Sequence, residues 1–159
     1  MAGVIHLRRR LRSESGAELI EVALTLPLLL LVLLGIIEFG FLFQEYEVVT
    51  NAAREGARIA ALVPSAGYTT DEAKARATDY LTAGGLKMAQ ATPDPTVVQS
   101  QVAITGTGKC ISAMTVTVNY QHPVPFISGI IRYFGGTMVT IPLKGVAVMR
   151  TESGAVTCP

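Results

Sequence analysis

The chain has 159 residues, enough for one domain, and half of them are apolar, giving a mean hydropathy of +0.43. A formal net charge of only +1 excludes a global electrostatic case for nucleic acid. The positive charge is local: Arg8, Arg9, Arg10 and Arg12 stand together just ahead of the most apolar stretch.

That stretch, Val22 to Ile37, is 16 residues without a charge, and Thr25 is its one polar side chain. Phe39 to Phe43 extends it past a single acid, Glu38. As a helix, Val22 to Phe43 would span about 33 Å, enough for a hydrocarbon core of ~30 Å. Arginines precede the span, and acids (Glu38, Glu45, Glu47) dominate its far end. The positive-inside rule therefore predicts a cytoplasmic N-terminus and an extracytoplasmic remainder. A cleaved signal peptide is the competing reading, but its apolar region runs only about 7–15 residues and ends in a small-x-small site. Phe39-Gly40-Phe41-Leu42-Phe43 offers no such site. A soluble core helix would not need the arginine flank.

From Gln44 to Leu62 apolar residues recur at 48, 49, 52, 53, 56, 59, 60 and 63, a 3.6-residue period. The membrane helix is thus expected to continue outward, with a stripe of small residues (Ala52, Ala53, Gly56, Ala60) that lets another element approach. Arg54 and Arg58 fall on the opposite, solvated face. Pro64-Ser65-Ala66-Gly67 should end the helix. A second helix is expected over Asp71 to Ala83, with Thr70 as N-cap and Gly84-Gly85 as its stop.

Beyond this the period becomes two. Val97 to Ile104 reads as a strand. In Ala113 to Tyr120, Met114, Val116, Val118 and Tyr120 share one face. Gly106 and Gly108 between them predict a hairpin. Gln121 to Gly136 reads as a connection punctuated by Pro and Gly. Thr137 to Arg150 reads as a last strand, with Pro142 placing it at an edge, a bulge or a break. The expected fold is α+β: a long N-terminal transmembrane and amphipathic helix, a second short helix and a small three-stranded antiparallel sheet. Its divisions would be a basic cytoplasmic leader at 1–16, a transmembrane helix at 17–43 and an extracytoplasmic domain at 44–159. The helix over 44–63 would be continuous with the membrane span. No internal repeat is present.

If the second and third strands pair antiparallel, the start of one lies beside the end of the other. Cys110 stands at the first place, and Cys158 follows the second after a turn at Gly154. A disulfide between them would persist outside the cytoplasm. Closing its loop of about 49 residues would contribute roughly 4 kcal/mol. The alternative is two free thiols.

The functional signals lie around the long helix. Gly16 is followed by Ala17, and Glu21 stands five residues after Gly16 at the mouth of the apolar run. This resembles the processing site of type IV pilin-like proteins, although Val22 replaces the usual Phe or Tyr and Glu18 adds a second acid. Gly35-Ile36-Ile37-Glu38-Phe39-Gly40, Asn51-Ala52-Ala53-Arg54-Glu55-Gly56-Ala57-Arg58 and Val146-Ala147-Val148-Met149-Arg150-Thr151-Glu152 are similar to the TadE-like family. Those proteins are minor pilins, or pseudopilins, of the tight-adherence pilus.

The resemblance implies cleavage after Gly16 by a prepilin peptidase, leaving Ala17 as the new N-terminus. It also implies a structural role beside other pilin-type subunits in the membrane. A carboxylate at the edge of hydrocarbon is costly unless paired. The resemblance supplies a partner for Glu21 in a neighbouring subunit's α-amine, which would set register between helices. Glu38 could simply reach headgroups or could contact a partner pilin. Arg54 and Arg58 could solvate the helix or serve assembly and domain packing. The second class of function is an uncleaved, membrane-anchored binding or accessory module.

Catalytic readings fare poorly. Gly106-Thr107-Gly108-Lys109 lacks the first glycine and the following helix of a phosphate-binding loop. His6 lies in the leader and His122 reads as a loop residue before Pro123, so no metal cluster is expected. Neither adjoins a recognisable nucleophile. No catalytic residue, cofactor or small-molecule substrate is therefore expected.

Overall fold

The computed structural model describes residues 3–137, 140–152 and 156–158. The first element, α1, is one unbroken helix over Gly3–Ala60, 58 residues long. The apolar span and residues 44–60 therefore form a single rod, which ends three residues short of the expected 63. Pro27 lies inside it and withholds an N–H from the preceding turn, a fault that membrane helices tolerate. From Ala17 to Leu33 every residue is exposed; cover by the rest of the chain begins at Leu34. This is the one helix found among the described residues with the length and apolar character to cross a membrane, which fits a single-pass membrane protein. The arginine side chains at 8–12, the basis of the orientation, lie outside the described residues, as do residues 138–139 and Gly154.

α1 ends at Ala60, and Pro64 occupies the first turn of α2 (Val63–Ala66), which Gly67 closes at φ +74°. The next helix, α3 (Thr70–Ala83), starts one residue earlier than expected. Its N-cap is Thr69, not Thr70: the Thr69 hydroxyl accepts from the Glu72 N–H while the Glu72 carboxylate accepts from the Thr69 N–H. A single 3-10 turn at Met88–Gln90 then leads into the sheet.

Strands β1 (Thr96–Ile104) and β2 (Lys109–Pro123) form a hairpin in which Ile104 opposes Lys109. Gly106 and Gly108 both take positive φ in its turn, as their placement predicted. β3 (Thr140–Arg150) pairs antiparallel on the other side of β2, and β4 (Val156–Thr157) adds two residues opposite Lys109 and Cys110. With β2 central, β3 is an edge strand that accommodates Pro142 opposite Gln121.

The segment Gln121 to Gly136 departs most from expectation. β2 continues through Pro123, and a further helix, α4 (Pro125–Tyr133), fills most of the supposed connection. Pro125 suits a first helical turn, where its missing N–H costs nothing.

The core lies between α1, α3 and one face of the sheet. Met114, Val116, Val118 and Tyr120 are buried from β2, Leu143 and Ala147 from β3, and Ala73, Ala77 and Leu81 from α3. α1 contributes Val49, Ala52, Ala53, Ala57 and Ala60. Their small size matters. A Cβ at Gly56 would stand 3.1 Å from the Ala73 carbonyl and 3.2 Å from Val116. One at Gly145 would stand 2.5 Å from the Val49 carbonyl. Helix, helix and sheet thus meet at near-backbone contact. Cys110 and Cys158 are joined by a disulfide, their Cα atoms 5.0 Å apart, which ties the C-terminal end to the start of β2.

Candidate functional site

Two regions of α1 hold the residues singled out from the sequence. Gly16, Ala17 and Glu21 belong to its bare part, where Ala17 and Glu21 are exposed. Among the described residues no hydrogen bond or ion pair engages the Glu21 carboxylate; its backbone carbonyl accepts from the Thr25 hydroxyl at 2.9 Å. Leu19, Ile20, Val22, Leu24 and Leu26 flank it in sequence and are at least half exposed. The carboxylate therefore stands in an apolar surface that the chain itself does not cover.

Arg54 and Arg58 lie on the outward face of the covered part. Arg54 donates to the Asn51 amide oxygen at 3.3 Å. Arg58 pairs with Glu55 at 3.3 Å, and the same carboxylate oxygen reaches Arg76 of α3 at 3.5 Å. Asn51-Ala52-Ala53-Arg54-Glu55-Gly56-Ala57-Arg58 thus divides by face. Its small residues admit α3 and β2, while Glu55 links α1 to α3 across the surface. Exposed pairs of this kind each add at most about 1 kcal/mol.

Glu38 is not the lipid- or water-facing acid that an interfacial position suggested. It is 4% exposed, and its carboxylate is engaged within its own chain. One oxygen accepts from the Phe126 N–H at 3.3 Å, and the other lies 3.5 Å from His122 Nε2. His122 Nδ1 is 2.7 Å from the Glu45 carboxylate. His122 is therefore an inward residue of β2, 2% exposed, rather than a loop histidine. The imidazole stands between two acids of one helix and clamps the end of β2 and the start of α4 onto α1. Glu38 Oε1 and His122 Nε2 are buried facing each other without a well-formed hydrogen bond.

Sequence reasoning missed this cluster, yet two signals pointed to it. Glu38 and Glu45 are separated by two helical turns and share a face with Val49. His122 continues the even-numbered, inward parity of Met114 to Tyr120. Tyr120 adds a neighbouring polar group. Its hydroxyl donates to the Gln90 side-chain oxygen. Burial first, and the Glu45 charge second, raise the phenol above its ordinary value, against a smaller opposing effect of the Lys87 backbone.

The described residues contain no group of three or more His, Cys, Asp or Glu arranged to hold a metal. What the geometry offers is surface: a bare apolar helix with the free carboxylates of Glu18 and Glu21 near its start, continuous with a small domain.

A helix fit to span a membrane, continuous with the packing helix of an α+β domain, defines a class of membrane-anchored α+β proteins. The comparison with known families narrows this further: residues 16–58 match the model of the TadE-like protein family. The match begins at Gly16 and ends at Arg58, covering the Glu21 and Glu38 positions and the whole Asn51–Arg58 motif. It points to a component associated with the tight-adherence pilus. No curated protein and no solved structure matches the chain.

Proposed function

We propose that the chain is a minor pilin or pseudopilin contributing to the assembly or structure of a tight-adherence pilus, without catalytic activity. Its N-terminus is cytoplasmic, residues 17–43 cross the inner membrane, and the domain from residue 44 is extracytoplasmic. A prepilin peptidase cuts after Gly16, and Ala17 becomes the mature N-terminus. The bare half of α1 then packs against other pilin-type subunits, with Glu21 taking a neighbour's α-amine and Arg54 facing outward for assembly contacts.

One observation carries this reading: the TadE-like match coincides with a helix whose large apolar side chains, and the acid Glu21 at the mouth of the apolar run, are left uncovered by the chain. A carboxylate so placed is stabilised by a partner rather than by lipid. The second reading is an uncleaved accessory module, supported by the departures at Val22 and Glu18.

Mass-spectrometric N-termini from cells with and without the peptidase decide between them. A start at Ala17 that depends on the peptidase, with the protein present in sheared surface filaments, is the expected result. A start at Met1 or Ala2 in peptidase-active cells, with the protein confined to the membrane, would establish the accessory module instead.

A further inference from the structure

We infer that α4 is a second membrane contact, seated in the lipid interface of the leaflet nearer the domain; this rests on the single-pass membrane reading of α1. The first observation is one of length. The uncovered part of α1, counted generously from Ala17 to Leu33, is 17 residues. At 1.5 Å per residue it covers about 25 Å. A hydrocarbon core is about 30 Å thick, and any tilt lengthens the helix needed to cross it. Counted from Val22, after the last acid before the apolar run, the uncovered part is only about 18 Å. Hydrocarbon must therefore extend over the turns that follow Leu33.

Those turns are where α4 lies. A groove of about 220 Å³ is lined by Gly35, Glu38, Phe39 and Leu42 of α1 together with Ile127 and Ile131 of α4. Phe126 stacks on Phe41 with ring centroids 6.3 Å apart. The domain thus reaches down beside α1 to the depth that the length arithmetic assigns to lipid.

The second observation is the sidedness of α4. Ile127 and Ile131 face α1. Phe126, Ile130, Tyr133 and Phe134 recur at i, i+4, i+7 and i+8; Phe126 is 44% exposed beside its stack on Phe41, Ile130 is half-buried, and Tyr133 and Phe134 leave the end of this face open. Tyr133 is 86% exposed and Phe134 81%. Arg132 stands in the last turn of the helix, beside these rings in sequence. Aromatic rings with an adjacent cation suit the boundary where acyl chains meet headgroup phosphates. The placement also accounts for Glu38. An acid at this depth would be costly against lipid, and α4 covers it while supplying the Phe126 N–H.

The chain contains no tryptophan, so single-tryptophan variants report cleanly. Full-length Y133W, L29W and Y68W, each reconstituted in phosphatidylcholine vesicles, are compared using lipids brominated near the headgroup or deep in the acyl chain. Y133W is expected to lose most of its emission to the shallow bromines, L29W to the deep ones and Y68W to neither. Quenching of L29W with none of Y133W would overturn the inference while leaving the membrane span intact. A blue-shifted but unquenched Y133W would also overturn it, since protein rather than lipid would then cover α4. Absence of quenching at L29W would instead remove the membrane reading on which the inference stands.

Discussion

Leu28 to Leu31 and the alanines at 52, 53, 57 and 60 belong to the same helix, yet their burial is the reverse of what size alone suggests. The leucines stand about half or more exposed, whereas the alanines are fully buried. Small residues line the covered half because α3 and the sheet approach the helix backbone itself, as Gly56 and Gly145 show. Large residues line the bare half because their neighbours come from outside the chain, first lipid and then, on the proposed function, other subunits. Side-chain size along α1 therefore separates a surface made for the protein's own fold from one made for something else.

Substitutions should divide accordingly when unfolding of the full chain is followed in detergent. H122A should act most strongly, lowering domain stability by about 3 kcal/mol, because Glu38 and Glu45 would remain without their buried partner. G56V should cost roughly 2 kcal/mol, since Ala73 and Val116 leave its side chain no room. Y120F should cost about 1 kcal/mol by leaving the Gln90 oxygen without its donor. The same phenol gives a pH dependence of definite sign. The unfolded chain ionises it near pH 10.0 and the folded chain only higher. Its contribution is thus complete below pH 10.0 and is lost as pH rises through the folded value. The alkaline fall in melting temperature should be shallower in Y120F. L29A in the bare half should change domain unfolding by no more than about 0.5 kcal/mol.

Much of the fold was legible because it rests on local periods. The 3.6-residue stripe over 48–63 marked the covered half of α1, and the alternation from Met114 to Tyr120 marked the central strand. Antiparallel pairing of β2 with β3 made a Cys110–Cys158 bond one of two expected outcomes, and the return of the chain as β4 beside Cys110 realises it. α4 was obscured because Pro123, Pro125, Gly129 and Gly135 read as loop punctuation. Yet Pro125 is a helix-starting proline, and the apolar pairs 126/130 and 127/131 carry helical spacing. Thr69 could have been preferred as N-cap, since Glu72 stands three residues after it and only Ala73 stands three after Thr70. The Glu38–His122–Glu45 cluster joins residues far apart in sequence, and its assembly depends on which part of α1 the end of β2 meets. The family motif did not separate packing residues from outward ones; burial did.

Photo-crosslinking from the two halves of α1 tests the central contrast most directly. Benzoylphenylalanine would replace Leu26 or Leu33 in the bare half and, as a control, Tyr46 near the covered half, in cells that are assembling pili. Adducts to pilin-type subunits are expected from positions 26 and 33 and few or none from 46. If positions 26 and 33 yield lipid adducts alone while pili assemble, the bare half is a membrane tether and not a packing surface between subunits.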